Sequence, residues 1–180
     1  VNVTTVLFDD NYELLHDRFD IKEIKPMTEE DYYVEGCTAL LDAMGKTITK
    51  IKSSQKNLGK EHRADNVMFV IITDGMENAS TEYSYDEIRR MVKKEKKKHG
   101  WEFLFLGANI DAAATAERYG ITADRAANYH SDSVGTRLNY KVVGEALSEV
   151  RACRKLSSDW KKDIDEDFAK RGGAAGSASE

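Results

Sequence analysis

The sequence predicts an α/β fold in layers, a mostly parallel sheet with helices on both faces. Three observations carry this. Residues 67–72 (VMFVII) run apolar without a break and are rich in β-branched side chains, the composition of a strand buried on both faces. Residues 101–106 (WEFLFL) are apolar except for Glu102, aromatic and leucine-rich rather than β-branched, and read as the next buried strand. Between and around these runs lie stretches whose apolar residues recur every three and four positions, so strands alternate with helices, as in a layered α/β domain.

The elements follow in order. Residues 3–8 (VTTVLF) are strand-like, Asp9-Asp10-Asn11 is a turn, and residues 12–19 form a second strand, together a hairpin. Residues 21–35 are polar and irregular and lead to Gly36-Cys37-Thr38. The spacing of Leu41, Met44, Ile48 and Ile51 predicts a helix over 39–55 with Thr38 at its N-cap. Residues 57–66 are a charged connection.

After the strand at 67–72, Ser84-Tyr85-Asp86-Glu87 has the capping-box form and opens a helix that Gly100 ends, with Ile88, Met91 and Val92 inward. Its basic run, Lys93 to Lys98, suits the negative end of the helix dipole and reads as a solvated helix end; the competing reading is a nucleic-acid patch. Asp111 caps a short helix closed by Gly120, and residues 126–130 form a short edge strand. A long helix is predicted over 137–156 with Val142, Val143, Ala146, Leu147 and Val150 inward. Residues 157–170 form a charged helix with Trp160, Ile164 and Phe168 on one side, and residues 172–180 (GGAAGSASE) a flexible tail. The expected organisation is a domain over 1–156, a helical extension over 157–171 and a tail over 172–180.

Composition narrows the function. At 180 residues the chain can bury one full core, and 41% hydrophobic content is ordinary for a globular protein. A net charge of -5 disfavours non-specific nucleic-acid binding. No apolar run approaches the roughly 20 residues that span a bilayer, and no signal peptide opens the chain. Cys37 and Cys153 fit no metal spacing. They read as reduced thiols of a cytoplasmic protein.

The strand at 67–72 stops at Thr73-Asp74-Gly75, with Glu77 and Asn78 just beyond. In open α/β sheets the binding crevice lies at the carboxyl ends of the strands. A carboxylate there can bind a hard cation or a polar ligand; equally, Asp74-Gly75 can be a turn that only reverses the chain.

Gly36-Cys37-Thr38 ahead of a helix carrying Leu40-Leu41-Asp42-Ala43, then Ile71-Ile72-Thr73-Asp74-Gly75, then a strand ending Leu106-Gly107-Ala108-Asn109, closely resembles the von Willebrand factor A (VWA) domain in its bacterial intracellular form. The resemblance covers most of residues 1–156. It implies a Rossmann-like three-layer sandwich, a mostly parallel sheet with one antiparallel edge strand and helices on both faces. It also implies a metal-ion-dependent adhesion site (MIDAS) binding magnesium, with Thr38 and Asp74 as metal ligands. The family's third ligand loop, Asp-x-Ser-x-Ser, is absent. Asp132-Ser133-Val134-Gly135-Thr136 has serine and threonine at the wrong offsets. The family's first strand and helix are not found before Val3 either, so the chain is expected to be completed by another segment, from a longer polypeptide, a separate chain or a second copy.

Magnesium takes near-octahedral oxygen coordination and keeps several waters. A site with few direct charges leaves the cation electrophilic, and an acidic side chain from a protein partner can complete its shell. The function implied is therefore protein–protein interaction without turnover, with no nucleic acid and no membrane. The competing reading is a magnesium-dependent phosphohydrolase of the haloacid-dehalogenase type, which would need a nucleophilic Asp with a second Asp two residues on. Asp9-Asp10 follows a strand but lacks that spacing. A nucleotide binder is disfavoured, since neither Gly-x-Gly-x-x-Gly nor Gly-x-x-x-x-Gly-Lys-Ser/Thr occurs.

Overall fold

The apolar run at 67–72 forms β3 (Met68–Thr73), the first strand of a parallel sheet. The computed structural model describes residues 1–26, 36–152 and 155–173. By its packing the chain divides into two units, Val1–Gly59 with Glu77–Ser84, and Lys60–Met76 with Tyr85–Glu180.

In the first unit β1 (Asn2–Phe8) and β2 (Tyr12–Asp20) pair antiparallel, with Phe8 opposite Tyr12 and Asn2 opposite Asp20. Among the described residues this hairpin is a two-stranded sheet of its own, where the resemblance implied a parallel sheet with one antiparallel edge strand. Helix α1 (Leu40–Asn57) buries Leu40, Leu41, Met44 and Ile48. Its N-cap residue is Ala39, whose methyl side chain cannot accept a hydrogen bond, so Thr38 is not the cap the spacing suggested. The cap comes from residues distant in sequence.

In the second unit β3 pairs parallel with β4 (Glu102–Gly107), Met68 opposite Glu102 and Thr73 opposite Gly107. Strand β4 pairs parallel with the short edge strand β5 (Ala126–Asn128). Helix α2 (Tyr85–His99) lies between β3 and β4 in sequence and α3 (Ala112–Arg118) between β4 and β5. Both faces of β4 are buried. Leu104 and Leu106 join a cluster with Val142, Ala146 and Val150 of α4 (Ser133–Arg151) and with Trp160 and Ile164, while the Phe105 ring packs on Tyr119 at 5.7 Å. Burying each such side chain contributes about 1.5–3 kcal/mol. Ile164 and the Phe168 ring, which stacks on His130, belong to α5 (Lys162–Lys170), so the charged C-terminal helix is packed into the core of this unit.

Helix α4 begins four residues earlier than its apolar periodicity suggests, because the Asp132 carboxylate accepts the N–H groups of Val134 and Gly135 at 3.0 and 2.8 Å. The stretch that failed as a cation motif is a helix cap. At the other end α4 stops at Arg151. Cys153, most of the irregular stretch 21–35 and most of the tail 172–180 lie outside the described residues. Among the described residues no helix is long and apolar enough to cross a membrane.

Candidate functional site

Thr38 belongs to the first unit and Asp74 to the second. Each can be followed within its own unit. Asp74 is exposed at the carboxyl end of β3. Its carbonyl accepts from the Asn109 side-chain amide at 3.4 Å, joining the loops that follow β3 and β4. Asn109 holds a left-handed backbone, φ 58°, and also donates to Ser131 Oγ at 3.4 Å, so the loop before α4 is drawn to the same strand end. Among the described residues the Asp74 carboxylate has no hydrogen-bonding or ion-pairing partner.

Thr38 is half-buried, two residues before α1. Its N–H donates to Asn78 Oδ1 at 2.7 Å, and the Asn78 N–H donates back to its carbonyl at 3.1 Å. Glu77 then caps α1. Its Oε2 accepts the Leu41 N–H at 2.8 Å and the Ser80 hydroxyl at 2.8 Å, and its Oε1 accepts the N–H groups of Ala79 and Ser80 at 3.0 and 2.8 Å. Ser80 Oγ accepts the Asp42 N–H at 3.1 Å. An anion at a helix N-terminus is favourable in itself. Glu77, a plausible cation or ligand contact by sequence position, is thus occupied with backbone groups.

Asp42 completes the lacing. It is buried, and its carboxylate accepts three successive N–H groups, from Thr81, Glu82 and Tyr83, each at 2.9 Å. Burial pushes its pKa up, but these hydrogen bonds and the nearby Lys46 outweigh that and hold it below the ordinary carboxylate value. Its part was missed from sequence, although an acid set between Leu41 and Met44 on an apolar face was the available signal. Asp9 and Asp10, weighed for nucleophilic chemistry, each accept a backbone N–H. Asp9 accepts the Asn11 N–H at 2.6 Å and Asp10 accepts the Cys37 N–H at 2.6 Å.

Thr38 and Asp74 offer a neutral hydroxyl and a carboxylate, hard oxygen donors of the kind magnesium takes. In donor chemistry they fit that ion, with most of the shell left to water or to other groups. Among the described residues no group of three or more His, Cys, Asp or Glu side chains that could hold a metal occurs. No protein-family model, no curated protein and no solved structure matches this chain.

Proposed function

We propose that the chain is a protein-interaction module of the VWA type, binding its partner through a magnesium ion to which Thr38 and Asp74 contribute oxygen ligands. The fold that goes with this reading is a Rossmann-like three-layer sandwich, and a cytoplasmic location belongs to it as well. The observation that carries it is an exposed Asp74 carboxylate, without a partner among the described residues, at the carboxyl end of an apolar, half-buried parallel strand, preceded in the chain by Gly36-x-Thr38 ahead of α1. Those are the residue types and the sequence order of two of the three ligand loops of a MIDAS. The bound ion would act as a Lewis acid toward an acidic side chain of the partner. The chain's own part is to present the two oxygens, and Asn78 supports one of them by holding the Thr38 backbone from both sides. No nucleophile or general base is needed.

Paramagnetic manganese, a stand-in for magnesium, tests this by NMR. At substoichiometric metal the amide signals of Thr38 and of residues 74–75 should broaden first, and Asp74→Ala should abolish the effect at both places. Broadening centred elsewhere, or spread evenly over the acidic surface, would refute the site. Magnesium-dependent turnover of a generic phosphomonoester, lost in Asp9→Asn, would move the chain to the phosphohydrolase reading.

A further inference from the structure

We propose that the outer face of α2 is a docking strip for a short acidic segment of a protein partner. This inference stands apart from the cation site. Between Tyr85 and His99 the helix carries seven Lys and Arg against three Asp and Glu, a net of +4 (7 − 3), on a chain whose total is -5. The rest of the chain is therefore at -9 (-5 − 4). The helix is a positive island on a negative molecule.

The apolar side of α2 is already spent, since Ile88 and Val92 are fully buried. Of its three acids Glu95 is buried too, at 1% exposure, and adds no negative charge to the outer face. Arg89, Lys93, Lys94, Lys97 and Lys98 are exposed and form no ion pair with any described acid. Helix α5 shows the contrast, because Lys162 and Lys170 on it both pair with Glu166 one turn away. Asp86 with Arg90 and Glu95 with His99 aside, the charged one-turn neighbours on α2 are like charges: Arg89 with Lys93, Lys93 with Lys97, Arg90 with Lys94, Lys94 with Lys98. Such pairs destabilise a helix, and an anionic partner relieves all four at once. The strip is also partly seated. A Cβ on Gly120 would lie 3.3 Å from Arg89 Cγ and 3.4 Å from Lys93 Cγ, so both stems run along the end of α3. Arg118 of α3 stacks on the Tyr85 ring at 3.8 Å and extends the positive surface to the first turn of α2.

Charge complementarity selects the occupant. Fifteen helical residues span about 22 Å, the reach of about seven residues of extended peptide. A duplex or a vesicle surface runs far beyond that length. The outer face offers lysines and no unengaged aromatic ring for base stacking, and no apolar side chains to enter a bilayer. Carboxylates on a short segment suit lysine point charges.

The test is fluorescence anisotropy of a labelled peptide of about eight alternating Asp and Glu residues, read at about 50 and about 200 mM salt. Single-stranded DNA of about 20 nucleotides and phosphatidylserine vesicles are the competing probes. The peptide should bind at low salt, weaken as salt rises, and lose about tenfold in affinity in Lys93→Glu/Lys97→Glu. The same reversal on α5, Lys162→Glu/Lys170→Glu, should leave binding unchanged. Both pairs are exposed, and circular dichroism checks that the variants fold. No peptide binding at low salt, an equal loss from the α5 reversal, or tighter binding of DNA or vesicles would overturn the proposal. So would dimers of the unmodified chain in light scattering that the α2 reversal disperses, since the occupant would then be a second copy.

Discussion

The buried carboxylate of Asp42 and the backbone of Tyr83, 41 positions apart, are joined by a hydrogen bond of 2.9 Å. With the Thr81 and Glu82 N–H groups on the same carboxylate, α1 holds the loop 77–84 by a buried anion. Asp42→Asn keeps the shape but turns one oxygen into a donor facing a backbone N–H. It should cost about 1–3 kcal/mol near neutral pH, measured by urea unfolding. The pH dependence has a definite sign. The folded carboxyl titrates below its ordinary value of 3.8, so its contribution is complete well above 3.8 and is lost as pH falls through the folded value. The stability gap between the natural chain and Asp42→Asn should therefore narrow on acidification and stay constant above about pH 5. A gap that widens in acid would contradict the assignment.

Gly45 stands inside α1, where alanine would normally add about 1 kcal/mol. Here a methyl group would lie 2.5 Å from the Tyr83 ring. The backbone N–H of Tyr83 is tied to Asp42, so its ring cannot withdraw freely. Gly45→Ala should therefore destabilise by about 1–3 kcal/mol, the cost of overpacking. In a Tyr83→Ser background the same change should be neutral or stabilising, and a double-mutant cycle separates the two effects.

What the sequence made legible, and what it did not, follows from the range of the interactions. The runs 67–72 and 101–106 and the stripe Val142–Ala146–Val150 declare themselves because burial on one or both faces repeats with a fixed period. Asp111 was readable as a cap, since its partner Ala114 lies three residues on. The start of α4 was misplaced because Ser133, Gly135 and Thr136 are weak helix formers, and the Asp132 cap overrides their propensity. The capping of α1 by Glu77 was out of reach. Its partner Leu41 is 36 positions away, and no local pattern encodes that pairing. Asp74 and Thr38 were legible as residue types in an order, which is information about chemistry rather than position.

Glu77 separates a structural from a ligating role. Both of its oxygens are engaged with the start of α1 and with residues 79–80. Glu77→Ala should lower the unfolding free energy by about 1–3 kcal/mol, by leaving helix N–H groups unpaired and removing an anion from the positive end of the dipole. Asp74→Ala, at an exposed carboxylate, should stay within about 0.5 kcal/mol of the natural chain. Chemical denaturation of the two variants side by side gives the comparison. Equal losses would mean that Asp74 also supports the fold.

Magnesium affinity should be low in this chain by itself. A cation that prefers about six oxygens is offered one hydroxyl and one carboxylate by Thr38 and Asp74. Isothermal titration should give little heat at micromolar metal. Tight binding that Asp74→Ala removes would show that further residues complete the shell.

Arg125 is a buried cation with a fork of partners. It is 8% exposed, and its Nε donates to Glu102 at 3.1 Å, one terminal nitrogen to Asp124 at 2.9 Å and the other to the Leu156 carbonyl at 2.9 Å. The Trp160 indole donates to the Asp124 carbonyl at 2.8 Å, so one guanidinium fastens the start of β4 and the chain leading into α5 to the turn before β5. Arg125→Ala removes the charge and the stem together and should cost about 3–5 kcal/mol, as for breaking a buried ion pair. Arg125→Met should cost less. It fills the space, and the two acids it strands are not deeply buried, Glu102 at 29% and Asp124 at 52% side-chain exposure. Arg125→Lys retains charge but not the fork, and should fall between them. Hydrogen exchange gives the local readout. Amides of α5 should lose protection in all three variants before those of β3, which Arg125 does not touch, and equal loss in both would mean that the guanidinium stabilises the whole unit rather than clamping its C-terminal helix.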